Sequence, residues 1–110
     1  MFEINGEMWY INFVSPHHPI FRMDNGEYTI GTCDDITKTI YLANHLDGSM
    51  LLKVLSHEIV HSAMFSYNVY LSYEQEEILA DLIATYGREI IQNANEMFKR
   101  LQLCRQCYQL

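Results

Sequence analysis

The chain is poor in positive charge: seven Lys and Arg stand against fourteen Asp and Glu in 110 residues, a formal net charge of −7. Binding a polyanion needs clustered cations, so the charge disfavours nucleic acid and no such partner is expected. Long apolar runs are lacking too. No window approaches the roughly 20 residues of a membrane-spanning helix, and Met1-Phe2-Glu3-Ile4-Asn5-Gly6 does not open a basic-then-apolar leader. A cytoplasmic protein without a membrane partner is the expectation, with a monomer as the default. Cysteine is limited to Cys33, Cys104 and Cys107, an odd number that cannot fully pair and suits a reducing compartment. Cys104-x-x-Cys107 is half of a zinc-ribbon pattern with no second pair. Repeats and low-complexity segments are absent. What is present is an ordinary globular composition, 49% apolar and 19% charged, which argues against disorder. The length supports one domain with a modest core, not two.

The organising stretch is Leu51-Leu52-Lys53-Val54-Leu55-Ser56-His57-Glu58-Ile59-Val60-His61, which sets H-E-x-x-H on an amphipathic helix. Residues four apart on a helix lie nearly one above the other, so His57 and His61 project two imidazoles from one face, as a clamp for a metal. Glu58 lies about 100° round from His57, where its carboxylate can serve as a base without becoming a ligand. A second stretch, Glu74-Gln75-Glu76-Glu77-Ile78-Leu79-Ala80-Asp81, repeats acidic groups at helical spacing. Glu77 and Asp81 can present one carboxylate as third ligand and another as the hydrogen-bond partner of a ligating histidine. Three protein ligands with an open position suit catalytic zinc, so Zn2+ is the expected cofactor. Glu74 and Glu76 are accounted for by the macrodipole at a helix N-terminus. Asp81 is not, because it lies well inside the helix.

Taken together, H-E-x-x-H at 57–61 and E-x-x-x-D at 77–81 resemble the gluzincin metallopeptidases. The small size looks most like the minigluzincins and the compact metallopeptidase-like proteins of phages and mobile elements. The resemblance covers roughly residues 38 to 90. It implies a cleft rimmed by the strand before the metal helix, so that Tyr41, Ala43 and His45 bind substrate, and it implies that Asp81 orients the imidazole of His57. The metzincin pattern is excluded, since it needs Gly at 64 and His at 67 where this chain has Met64 and Tyr67.

Around these motifs the chain reads as strands at 7–14, 28–33 and 39–43, the last two pairing antiparallel, with Asp24-Asn25-Gly26 as a turn. His17 and His18 are adjacent, point different ways and read as loop residues; His45 also has a plain loop reading before Asp47-Gly48. Residues 47–68 form the active-site helix, with Leu51, Leu52, Leu55, Ile59, Ala63 and Met64 as its buried stripe and Asn68 as its stop. Ser72 and Gln75 have the form of a capping box opening a helix over 72–100, interrupted only by Gly87. Residues 101–110 form a tail. The resulting fold is α+β: a three-stranded, mostly antiparallel sheet packed on the H-E-x-x-H helix, followed by the long glutamate helix.

The function this composes is zinc-dependent hydrolysis of peptide or protein substrates, with His57, His61 and Glu77 as ligands and Glu58 as general base. The alternative is a zinc-binding regulatory or interaction module without turnover, or a latent enzyme. The tail's apolar residues Leu101, Leu103, Tyr108 and Leu110 either pack on a neighbouring helix or fold back as a plug, with Cys107 near the zinc. Tyr67, Tyr70, Tyr73 and Tyr86 are the tyrosines from which an oxyanion donor could be drawn.

Overall fold

The computed structural model describes residues 1–104. Strands β1 (Phe2–Ile4) and β2 (Glu7–Val14) form a hairpin, a single 3-10 turn covers Pro19–Phe21, and strands β3 (Gly31–Asp34) and β4 (Thr39–Ala43) lead into helices α1 (Gly48–Ser66) and α2 (Tyr73–Leu103). The sheet has four strands in the order β1-β2-β4-β3.

Two features depart from the three-stranded expectation. Residues 2–4 form a strand because Asn5 and Gly6 both take positive φ (50° and 79°), the geometry that tight hairpins favour. The Asn5-Gly6 pair is a strong sequence signal for such a turn. In addition, β2 and β4 run parallel, Tyr10 against Thr39 through Val14 against Ala43. The segment between them crosses over and returns β4 to the middle of the sheet, so the sheet is mixed.

The middle position of β4 explains its burial: Ile40, Leu42 and Ala43 are fully enclosed and form the main core with Phe21 and Leu46. Leu51, Val54, Leu55 and Ile59 of α1 pack against this cluster. Leu52, counted in the apolar stripe, is instead exposed, and Val54 takes a place in the packing. The far end of α1 is held by the hairpin. Trp9 is buried, donates from Nε1 to Ser66 Oγ at 2.8 Å and stacks on Phe65, while Asn5 Nδ2 donates to the Ser66 carbonyl at 2.9 Å. Ile11 and Phe13, on the Trp9 side by alternation, stay exposed.

Helix α1 ends as expected, with Asn68 at φ 55° and Val69 N–H donating back to the Met64 carbonyl at 2.9 Å. The capping box of α2 is complete, with Ser72 Oγ accepting from Gln75 N–H and Gln75 Oε1 from Ser72 N–H. Val60 and Met64 of α1 meet Ala80 of α2 in a second core cluster. Ala80 and Ala84 are nearly fully buried; their small side chains let the helices approach closely enough to bring acidic groups onto the α1 histidines.

Candidate metal centre

His57 and His61 face α2 across this seam, and Glu77 meets them. His61 Nε2 lies 2.9 Å from Glu77 Oε1, His57 Nε2 lies 3.3 Å from Glu77 Oε2, and the two Nε2 atoms are 3.1 Å apart. The three residues form a group with the composition and spacing to hold a metal ion. Bonds of about 2.0–2.1 Å to tetrahedral donors place those donors roughly 3.3 Å from one another, close to the separations found. Two ring nitrogens and a carboxylate oxygen this close, all with lone pairs turned inward, repel unless a proton or a cation lies between them. The donor set therefore fits a divalent ion.

The outer nitrogens of both imidazoles also face carboxylates. His57 Nδ1 is 2.9 Å from Asp81 Oδ1, so the Nδ1–H donates outward and leaves Nε2 free to ligate. Asp81 lies inside the helix but its side chain is 68% exposed, so it is the contact with His57, not any cost of burial, that sets it apart from Glu74 and Glu76. His61 Nδ1 has a counterpart that sequence reasoning missed, Glu76 Oε2 at 3.5 Å. The macrodipole accounts for Glu76 at the start of α2 by sequence alone; its place beside His61 becomes visible only once the helices are docked.

Glu58 is buried (6% exposed) and points to the other side of the triad, toward β3. Burial pushes its carboxyl pKa up from the ordinary value, the imidazoles of His61 and His57 pull it back, and Glu77 pushes it up. The close approach of β3 is permitted by Gly31: a Cβ there would stand 2.7 Å from Val54 Cγ1 and 3.3 Å from Glu58 Cγ. The Cys33 thiol is held protonated, its pKa pushed up to about 12 by burial and by the nearby Glu58.

Two adjoining hollows meet at the triad and share Thr29, Gly31, His57, Glu58 and Glu77. One, about 260 Å³, continues past Ile30, Met50, Lys53, Val54 and Asp81; the other, about 350 Å³, continues past Met23, Thr32, Cys33, His61, Phe65, Tyr73 and Glu76. Tyr41, Ala43 and His45 line neither. The expectation that residues 41–45 form an exposed rim is corrected by the pairing of β4 on both sides, which uses its backbone within the sheet. Ala43 is fully buried. The strand at the cleft is β3, and the sheet ends there. Of the four tyrosines left open by the sequence, Tyr73 lines the hollow that holds the triad. His18 accepts from Ile20 N–H through Nδ1 and caps the 3-10 turn, a local structural role.

The tail is also placed in part. Leu101 and Leu103 continue α2 and are exposed, not packed on a neighbour. Leu103 lies 22 residues beyond Asp81, about 33 Å along a helix at 1.5 Å per residue. Cys107, the residue considered as a fourth ligand, and Tyr108 and Leu110 lie outside the described residues.

No family model, curated protein or solved structure matches this chain. Among the described residues no helix is long and apolar enough to cross a membrane.

Proposed function

We propose that the chain is a zinc-dependent peptidase of gluzincin type, acting on extended peptide segments. The observation that carries this reading is the position of Glu58: a buried carboxylate that borders the cleft beside His57, His61 and Glu77 without belonging to the ligand group. A site built only to hold metal has no use for a fourth, desolvated carboxylate beside it, and burying one is costly.

Zinc in this site would polarise a scissile carbonyl and lower the pKa of water beside it. The chain's own residues supply the rest. Glu58 takes the proton of the attacking water as oxygen bonds to the carbonyl carbon, then returns it to the leaving nitrogen as the C–N bond breaks. Asp81 holds the His57 imidazole in orientation, Glu76 supports His61 electrostatically, and Tyr73, which lines the hollow at the triad, is the tyrosine this reading assigns to a developing oxyanion.

The backbone of β3 suits capture of an extended chain. Ala43 N–H donates to the Ile30 carbonyl at 2.9 Å, and in an antiparallel ladder the outward and inward residues alternate. Thr32 and Asp34 therefore turn toward β4, while Gly31, whose carbonyl accepts from Thr29 Oγ1 at 3.2 Å, and Cys33 turn their backbone groups to the edge, where a peptide strand can add beside Cys33.

The test is Glu58→Gln, which keeps size and polarity and removes the proton acceptor. Zinc content should be unchanged while hydrolysis of an unstructured protein substrate falls by at least about 10²-fold, the scale of general-base catalysis. A parent protein that binds zinc stoichiometrically yet cleaves none of a broad peptide library would leave a non-catalytic zinc module as the better reading.

A further inference from the structure

Among the described residues, the distal half of α2 has no packing partner. Contact with α1 ends near Arg88, which donates from Nη1 to Ser56 Oγ at 3.4 Å, and every residue from Glu89 to Leu103 is exposed. The molecule is accordingly elongated, 58 × 30 × 27 Å. This free segment is not polar all round. Ile83, Gly87, Ile90, Ala94, Met97 and Leu101 recur at alternating spacings of four and three, the seam of a helix that pairs with another helix. Ile91 and Phe98 flank it one heptad apart, and Ile90, Ile91 and Phe98 are each more than half exposed. Where α1 and α2 part, an apolar groove opens, lined by Ile83, Gly87, Ile90 and Ile91 with Ser56 opposite.

We propose that this seam pairs with the same segment of a second copy, antiparallel, giving a twofold homodimer. Three observations select that occupant. First, the residue sizes along the seam are self-complementary in that orientation. Antiparallel pairing centred near Gln92 sets Met97 of one copy on Gly87 of the other, Ile90 on Ala94, and Leu101 on Ile83. A parallel pair would stack glycine on glycine and alanine on alanine between layers of bulky residues, leaving voids. Second, the same register carries Phe98 of the second copy toward the groove beside Gly87 and Ser56, and Arg100 toward Tyr86, a cation–π pairing. Third, charge directs contact here. The chain carries −7 overall, yet residues 87–103 hold Arg88, Lys99 and Arg100 against Glu89 and Glu96, so this is the part of the surface where two copies approach without repulsion. In such a dimer the two metal centres lie at opposite ends of the paired segment.

Sedimentation velocity on the full chain, zinc-loaded, is the direct test. A dimer is expected at 50 µM, and Ile90→Glu or Met97→Glu should convert it to monomer with helical circular dichroism and zinc content unchanged. Orientation is read from mild oxidation of single-cysteine additions: Asn93→Cys, near the twofold axis, should cross-link well above the parent, and Met97→Cys, far from its own copy, should not. A monomer persisting at 500 µM, a dimer indifferent to both glutamate substitutions, or the reverse cross-linking pattern would overturn the proposal.

Discussion

His57 stands between two carboxylates one turn apart on α2: Asp81 Oδ1 lies 2.9 Å from its Nδ1 and Glu77 Oε2 lies 3.3 Å from its Nε2. The imidazole is thereby fixed in tautomer and direction, with the proton on the outer nitrogen. Replacing Asp81 by Asn leaves a group that can still hydrogen-bond but no longer carries charge. Metal affinity should fall on the order of 10- to 100-fold, measured by competition with a chromophoric chelator. Glu76→Gln should cost less, because its 3.5 Å separation from His61 Nδ1 exceeds a normal hydrogen bond.

The ligand group itself makes a sharper prediction. The protein should bind one divalent ion per chain, and His57→Ala, His61→Ala or Glu77→Ala should each abolish stoichiometric binding, as read by elemental analysis after gel filtration. Loss of a helix-terminal charge alone would cost only about 0.3–1 kcal/mol. A Glu77→Ala protein with metal affinity reduced by no more than that range would remove Glu77 from the site.

Gly31 is required by space, not by backbone conformation. A methyl group at that position meets Val54 at 2.7 Å and Glu58 at 3.3 Å, so Gly31→Ala should force β3 and α1 apart. Overpacking of this kind costs about 1–3 kcal/mol. The melting temperature should drop, and under the proposed function hydrolysis should fall further than metal content, because the residue displaced is the proposed base and not a member of the ligand group.

Cys33 should be a slow thiol. With its pKa near 12 against an ordinary 9.0, the thiolate fraction at pH 8 is about 10³ times smaller than for a free cysteine, and alkylation should slow in proportion. Peptide mapping after iodoacetamide treatment, native against unfolded, gives the ratio. Native labelling as fast as unfolded would show that β3 does not shield this side chain.

The raised pKa of Glu58 makes the metal-free protein pH-sensitive. A carboxyl whose folded pKa exceeds its unfolded value contributes stability below the unfolded pKa and loses it as pH rises through the folded one. Metal-free Glu58→Gln should therefore be more stable than the parent at neutral pH, with the gap closing as pH falls toward 4.5. Denaturant titrations of both proteins across that range supply the comparison.

Local spacing and local chemistry were enough to determine much of this protein. The i, i+4 repeat set His57 and His61 on one face, the same repeat set Glu77 and Asp81 on another, and Ser72 with Gln75 marked where the second helix begins. These are short-range regularities, legible because helix geometry fixes direction over one turn. The tight turn at Asn5-Gly6 belongs with them, and its strand went unread only because three residues were too few to stand out. Other features depend on how elements pack. That β4 lies inside the sheet and β3 at its edge follows from a crossover between β2 and β4, which no alternation pattern encodes, and it moved the cleft wall from residues 41–45 to 29–33. That Glu76 faces His61, and that Gly31 must lack a side chain, follow from the approach of separate segments to within 3–4 Å. The carboxylates could be assigned to a metal by spacing, but their separations and their burial were decided by the docking of α2 on α1, where Ala80 and Ala84 let two backbones come close enough for five polar side chains to meet.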